Sequence, residues 1–213
     1  MTQHIHRGLP VPYIAPWDTE PMLRPPLARR RGRNGQWILC YRDETPYDRD
    51  SFGALWTRQA LARGRGVPDF AAVHALRQRQ AMSRLLCQVC GRDTLTDTPD
   101  RQLHIMADTG QPVAEGELTT SPPVCLPCAR IAVRMCPHLR SGHVAAWVEL
   151  PQAWGVYGLQ YDLTTLAPVD TGPIEVGYDD ARIQWTIAAR HVSILRGVTP
   201  IQLDELAEAA PAG

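Results

Sequence analysis

Apolar positions along the chain follow two different periods, and each period predicts a different kind of element. Residues 36–42 (Gln-Trp-Ile-Leu-Cys-Tyr-Arg) come directly after an Asn-Gly turn signal and predict a short strand. Apolar residues at helical spacing predict one helix within residues 50–66 and a second over residues 68–86, with Pro68 in its first turn. This part of the chain is therefore predicted to be a strand followed by two helices.

The C-terminal part contains both periods. Val144–Leu150 and Gly155–Leu163 are strand-like runs on either side of Pro151, and together they predict a β-hairpin. Residues 179–197 begin with two acidic cap residues, carry apolar positions and end in glycine, which predicts a helix. Residues 199–202 (Thr-Pro-Ile-Gln) match a capping box with proline at the first helical position, so a last short helix is expected.

Residues 1–35 contain six prolines, which exclude a helix over most of the segment and predict an extended arm. Tyr13, Ile14 and Trp17 are groups that a free linker rarely carries, so part of this arm is expected to lie on the folded body. The patterns divide the chain into an arm at 1–35, a strand with two helices at 36–86, a cysteine-containing centre at 87–142, and a hairpin with helices at 143–213.

Length and charge narrow the class of protein. The 213 residues suffice for a substantial core, and no apolar run approaches the roughly 20 residues of a membrane helix. No apolar signal segment is visible at the start, so we expect no membrane association and a cytoplasmic location. The 22 basic residues are all arginine and match 22 acidic ones, yet residues 1–86 hold 14 Arg against 7 acidic residues. This basic half predicts either a surface for phosphate backbones or a face on which the acidic half docks.

Two CxxC motifs are the strongest chemical signal, Cys87-Gln88-Val89-Cys90 and Cys125-Leu126-Pro127-Cys128. Each motif turns two sulfurs toward one point, and Gly91 permits the positive φ of such a turn. Four thiolates at this spacing predict a structural Zn²⁺ site. The alternatives are disulfides, disfavoured by the expected cytoplasmic location, and a thioredoxin-like redox pair, disfavoured because two pairs occur together.

The surroundings of the cysteines follow the order of a treble clef, which is a knuckle, a β-hairpin and a helix. Residues 101–107 predict a strand after the first pair, and the second pair opens a helical stretch. Cys136 lies eight residues beyond Cys128, about 12 Å along a helix, which is too far to bind the same ion. Cys136 and Cys40 are therefore predicted to be buried thiols, and a second ion near Cys136 and His138 is the weaker alternative.

Residues 87–131 resemble the zinc-supported HNH endonucleases, in which a CxxC pair precedes a histidine on a hairpin strand and a second CxxC opens the helix. His104 lies 14 residues after Cys90 and 21 before Cys125, in the place of that histidine. The resemblance implies a metal-dependent nuclease in which His104 activates water.

The chain departs from that family where the chemistry would take place. Leu103 stands in the position of an acidic metal ligand, residues 120–123 (Thr-Ser-Pro-Pro) in that of an asparagine, and Ala129 in that of a common histidine. A one-metal nuclease needs such ligands to hold a hard cation against the phosphate. These departures favour a function without catalysis.

The favoured hypothesis is a non-catalytic, zinc-stabilised protein that binds DNA or RNA through arginine-rich surfaces. The arginines expected to make these contacts are Arg29, Arg30, Arg31, Arg33, Arg77 and Arg84. The alternatives are an HNH-like nuclease that uses His104 and an adaptor with a protein partner. The predicted fold class is α+β, with a central treble-clef zinc finger between an N-terminal helical region and a C-terminal hairpin with helices.

Overall fold

The computed structural model describes residues 3–96 and 98–203. This part of the chain contains three α-helices, a six-stranded sheet and three two-stranded sheets, which agrees with the predicted α+β class. The helices are α1 (Ala75–Ser83), α2 (Leu126–Met135) and α3 (Pro137–Arg140). The strands are β1 (His4–His6), β2 (Leu9–Val11), β3 (Met22–Leu23), β4 (Leu27–Arg31), β5 (Trp37–Tyr41), β6 (Leu55–Trp56), β7 (Arg58–Gln59), β8 (Gln102–Ala107), β9 (Leu118–Thr119), β10 (His143–Tyr161), β11 (Pro168–Gly177) and β12 (Thr186–Ile201).

Two long antiparallel strands, β10 and β12, form the middle of the main sheet. Strands β8 and β11 pair with the other edge of β10, β8 near its start and β11 near its end. Strand β9 pairs antiparallel with β12, and β6 pairs with it in parallel. Strand β10 therefore connects the cysteine-containing region at one end of the sheet to the C-terminal strands at the other.

The first half of β10 contributes side chains to two hydrophobic cores, because successive side chains of a strand point to opposite faces of the sheet. Ala145 and Trp147 pack into the cluster that contains Cys87, Cys125 and Cys128. Ala146 and Val148 pack on the other face, in a separate cluster with Val113 and Leu195. Both faces are thus buried, which explains why this stretch shows no alternation of apolar and polar residues.

The N-terminal region is strand-rich and lies on the body, as its aromatic residues suggested. Tyr13, Ile14 and Trp17 are buried, and β1 with β2 and β4 with β5 form antiparallel pairs. The strand expected over residues 36–42 is present as β5. The arm at 1–35 is therefore largely extended and packed, rather than a free linker.

Three of the predicted helices are corrected by the structure. Residues 50–66 form turns and short strands, because the Asp50 carboxylate accepts from the amides of Phe52 and Ala54 and closes a tight turn. Residues 181–185 form one 3-10 turn, and the predicted helix beyond it is strand β12. The last predicted helix begins inside β12 at Thr199, and its residues after 203 lie outside the described part of the chain.

Two strand predictions also differ from the structure. Val144–Leu150 and Gly155–Leu163 belong to the single strand β10, which continues through Pro151, and β10 pairs with β11 and β12 instead of folding back on itself. The strand predicted over residues 101–107 is present as β8 but pairs with β10, whereas β9 pairs with β12.

The helix predicted over residues 68–86 is present as α1 but is shorter than predicted.

Candidate metal centre

The first cysteine pair lies on a tight turn. The amide of Gly91 donates to the carbonyl oxygen of Cys87 at 2.8 Å, and Gly91 has a φ of +72°, the positive value expected there. The amide of Cys90 points at the Cys87 sulfur at 3.5 Å. The turn therefore places both sulfurs on the same side of the chain.

The second pair lies at the start of α2. Cys125 is the residue before the helix, and Cys128 is in the first turn. Pro127 is tolerated in that turn because the N–H it lacks would have no partner within the helix. The amide of Ala129 donates to the carbonyl oxygen of Cys125 at 2.9 Å, so helical bonding begins at this cysteine. The two cysteines are three residues apart and share one face of the helix.

The four sulfur atoms converge. All of them lie within 4.8 Å of one another, and the sulfurs of Cys90 and Cys125 are 3.8 Å apart. Four sulfurs at about 2.3 Å from a central ion form a tetrahedron with edges of about 3.8 Å. All four cysteines are free, as this spacing requires, because a disulfide would bring two sulfurs to about 2 Å. The cluster has the size of a four-coordinate metal site.

Hydrogen bonds connect the two cysteine pairs directly. The amide of Gln88 donates to the carbonyl oxygen of Pro123 at 2.9 Å, and its side-chain Nε2 donates to that of Pro122 at 3.0 Å. The amide of Val124 donates to the carbonyl oxygen of Leu103 at 2.8 Å and joins the second pair to β8. These hydrogen bonds therefore hold together β8, α2 and the turn that carries Cys87 and Cys90, which we call the knuckle.

The N-terminal segment supports the knuckle from another side. The amide of Tyr13 donates to the carbonyl oxygen of Val89 at 2.9 Å, and that of Ile14 donates to Gln88 at 3.3 Å. Both side chains are buried. Residues far apart in the sequence thus fix the backbone between the first two sulfurs.

The sulfurs influence one another's protonation. Hydrogen bonds with Cys128 and Cys87 lower the pKa of Cys125. The hydrogen bond to Cys125 in turn raises the pKa of both partners. Arg92 is an exposed cation near the sulfurs of Cys90 and Cys125, and these neighbours raise its pKa. This cation offsets part of the negative charge of the thiolates, and its position directly after Cys90-Gly91 was the signal that the sequence analysis missed.

His104 is separated from the sulfur cluster. Its neighbours Leu103 and Ile105 pack with the cysteines, so the alternation of β8 turns His104 to the other face. The ring is 0% exposed, and neither nitrogen has a well-formed hydrogen bond among the described residues. Burial lowers the pKa of His104 to about 4, and the nearby backbone of Ser121 opposes this shift. The ring is therefore neutral near pH 7 and closed off from solvent.

The six arginines predicted to contact phosphate lie in different environments. Arg77 is 5% exposed and forms an ion pair with Glu20 at 2.6 Å, so it is a structural residue rather than a surface contact. Arg29 and Arg31 lie over the ring of Trp37, a residue that the sequence analysis did not assign to the site. The remaining three are exposed, Arg30 in an ion pair with Glu44, and Arg33 and Arg84 at the surface.

The remaining candidate ligands do not gather into a site. Among the described residues, the four cysteines are the one group of three or more His, Cys, Asp or Glu side chains that could hold an ion. Cys40 is buried as predicted, and Cys136 is half-buried at the end of α2, outside the sulfur cluster. His138 is exposed. The alternative of a second ion near Cys136 and His138 gains no support from this arrangement.

Comparison with protein-family models, with curated proteins and with solved structures found no match to this chain. Each helix in the described part of the chain is too short or too polar to cross a membrane.

Proposed function

We propose that this protein is a zinc-stabilised, non-catalytic protein that binds single-stranded nucleic acid. The zinc part rests on the convergence of the four cysteine sulfurs. Four thiolate ligands favour Zn²⁺, and a site closed by four protein ligands is typical of a structural role, in which the ion contributes folding free energy. A treble clef carries its ligands on a knuckle and on the first turn of a helix, and the cysteines here lie on the same two kinds of element, but the intervening strands pair with β10 and β12 instead of with each other.

The nucleic-acid part rests on the end of the β4–β5 hairpin. Arg31 lies directly opposite Trp37 in the register, with its guanidinium carbon 4.2 Å from the ring centroid, and the Arg29 guanidinium is 5.4 Å from the same centroid. The indole is 41% exposed. Arginines bind phosphates and an exposed aromatic ring stacks on unpaired bases, so this cluster combines the two contacts that single strands need.

The other face of the hairpin adds positive charge. A cleft of about 860 Å³ is lined by Arg29, Arg30, Arg42 and Arg49 around one carboxylate, Glu44. Glu44 accepts from Arg30 at 2.9 Å and from Arg49 at 2.8 Å. Burial opposes ionisation of Glu44, but these hydrogen bonds dominate and lower its pKa. Four arginines thus surround one carboxylate, which leaves a basic cleft that meets the Arg29–Trp37–Arg31 cluster at Arg29.

The test is the salt dependence of binding to a labelled oligothymidine and to the same sequence in a duplex, followed by fluorescence anisotropy. We expect tighter binding to the single strand, with an affinity that falls steeply between about 50 and 200 mM salt. The double variant Arg29→Ala/Arg31→Ala should reduce the slope of log K against log salt by about 1.4, since each single-strand phosphate contact contributes about 0.7. Trp37→Ala should weaken binding by about 1–3 kcal/mol.

The matched control is Arg134→Ala/Arg140→Ala, which removes the same charge from exposed positions on α2 and α3. It should leave the salt slope close to that of the wild type. An equal reduction of the salt slope in both double variants would contradict the proposed interface. A binding constant that does not change with salt concentration would favour the protein-adaptor alternative.

The full burial of His104 supports a non-catalytic function over HNH-like chemistry, because a catalytic base must reach water at the substrate. The check is a plasmid-nicking assay with Mg²⁺ or Mn²⁺. Metal-dependent nicking that disappears in His104→Asn would overturn this part of the proposal.

A further inference from the structure

A second cleft, of about 470 Å³, plays no part in the function proposed above. It lies between α1, strands β6 and β7, and the turn at Pro46–Asp48. Its lining includes Leu23, Tyr47, Trp56, Leu76 and Arg79. A concave site of this size fits a small organic molecule, and its lining combines these apolar and aromatic side chains with polar and charged ones, including Asp48 and Arg58.

Arg79 is the unusual group in this cleft. Its guanidinium carbon lies 4.8 Å from the ring centroid of Trp56, which holds it in a fixed orientation. The side chain is half-buried, and burial lowers its pKa. Within residues 3–96 and 98–203 it forms neither an ion pair nor a hydrogen bond with another side chain. Its guanidinium nitrogens are not among the fully buried atoms of the described residues, so they remain accessible to an anion that enters the cleft.

The nearby carboxylates are already engaged. Asp50 attracts Arg79 through space, but its oxygens accept from the amides of Phe52 and Ala54, the Trp56 indole and the Tyr178 hydroxyl. Asp48 pairs with Arg58 at 2.7 and 2.8 Å. Neither carboxylate can therefore give Arg79 the two-point contact that a guanidinium accepts from a carboxylate or phosphate.

The rim of the cleft supplies apolar surface beside this cation. Tyr47 is 88% exposed and Leu23 is 47% exposed, although both are large apolar groups. A flat ring placed against them would bury part of its apolar surface, and the Tyr47 ring would provide a stacking surface. The cleft thus offers one anion contact and one site for a planar group.

We propose that this cleft binds a small organic anion, a carboxylate or phosphate ester on a flat ring, with its acidic group on Arg79 and its ring against the exposed side chains of Tyr47 and Leu23. The shared chemistry is a planar body that carries one acidic group. This site is independent of the β4–β5 hairpin, so its failure and that of the nucleic-acid proposal are distinguishable.

The test is isothermal titration of the full chain with uridine monophosphate and with benzoate, which represent the phosphate and the carboxylate. Uridine and benzamide are the neutral counterparts. We expect one of the two anions to bind at 1:1 with a Kd of about 1 mM or tighter, and its neutral counterpart to bind at least tenfold more weakly. Equal binding of the neutral compound, or no binding of either anion, would overturn the proposal.

Three variants locate the site. Arg79→Ala should weaken anion binding at least tenfold, and Arg65→Ala, which removes the same charge from an exposed loop, should leave it unchanged. Because Arg79 also packs on Trp56, Tyr47→Ala provides a second test at an exposed position that does not disturb the core, and it should weaken binding as well. Wild-type affinity in a folded Arg79→Ala or in Tyr47→Ala would contradict the assignment.

Discussion

Arg77 donates to both carboxylate oxygens of Glu20, at 2.8 Å from Nη1 to Oε1 and 2.6 Å from Nη2 to Oε2. The amides of Trp17 and Ala62 donate to the same carboxylate at 2.9 Å each. Burial alone would raise the pKa of Glu20, but these hydrogen bonds outweigh it and lower the pKa to about 2. The pair joins the N-terminal segment to α1 in the interior of the protein.

We therefore expect Arg77→Ala to lower the free energy of unfolding by about 3–5 kcal/mol, because the Glu20 charge would stay buried without its partner. Arg84→Ala, at the exposed end of the same helix, should change it by no more than about 0.5 kcal/mol. Urea unfolding followed by circular dichroism measures both. Similar values for the two variants would show that the buried pair contributes little.

The proposed zinc role predicts that Cys90→Ser abolishes zinc binding and unfolds the region around residues 87–135, because a structural ion contributes folding free energy directly. Cys136→Ser is the matched control, since Cys136 is half-buried but lies outside the sulfur cluster. Native mass spectrometry would count the zinc, and limited proteolysis would report the unfolding. A Cys90→Ser protein that is metal-free and resists protease as well as the wild type would contradict the structural role.

Arg92→Gln should weaken zinc binding about tenfold without unfolding the protein, because it removes a cation beside the Cys90 sulfur and leaves all four ligands in place. Competition with a chromogenic chelator measures this affinity. An unchanged affinity would mean that the guanidinium does not help to offset the thiolate charge.

Stability should fall in mild acid because of His104. The folded chain holds the pKa of His104 at about 4, against an ordinary value of 6.5. Between these two pH values the unfolded state binds more protons than the folded state. The contribution of the neutral His104 ring to the free energy of unfolding is therefore fully present above about pH 6.5 and is lost as the pH falls through about 4. The full loss is on the order of 3 kcal/mol. Burial also lowers the pKa of His74 and His191, which act in the same direction. Urea titrations at several pH values test this, and a flat profile between pH 6.5 and 4 would contradict it.

Gly158→Ala should destabilise the main sheet by about 1–3 kcal/mol. A Cβ at this position would collide with the carbonyl oxygen of Ile187 on β12, where the pairing between β10 and β12 shifts register. The backbone cannot give way as the end of a flexible side chain could. Thermal unfolding of the variant measures the effect, and an unchanged Tm would mean that the strands can separate at this bulge at little cost.

Short sequence motifs predicted the structure best where the geometry depends on neighbouring residues. Two CxxC motifs and the glycine after the first one describe turns whose geometry depends on a few neighbouring residues, and the structure brings all four sulfurs together. Strand β5 was also predicted correctly, because the Asn34-Gly35 turn signal before it is a local pattern. The contact between Arg92 and Cys90 was also local, but the pattern of ligands alone does not show it.

The errors arise where tertiary contacts decide the outcome. Residues 186–197 were predicted as part of a helix that ends at Gly197. In the structure they belong to β12, which lies between neighbours in the sheet and is buried on both faces over much of its length, so its apolar run resembles a buried helix. Pro151 was taken as a break between two strands, but β10 continues through it opposite Leu195. Arg77 was predicted to contact phosphate because of its positive charge. Its partner Glu20 is 57 residues away in the sequence, and no local pattern pairs the two residues.

The two-sided packing of β10 also limits how the length of the chain can change. Ala145 and Trp147 face the cysteine cluster, whereas Ala146 and Val148 face the separate core behind it. One residue inserted between Ala145 and Val148 would exchange the two sets, because the side-chain period of a strand is two. Loops elsewhere can gain or lose residues at small cost, but here even an alanine insertion would turn Trp147 away from the sulfurs. The spacing between the metal centre and the C-terminal strands is therefore as restricted as the identity of the cysteines.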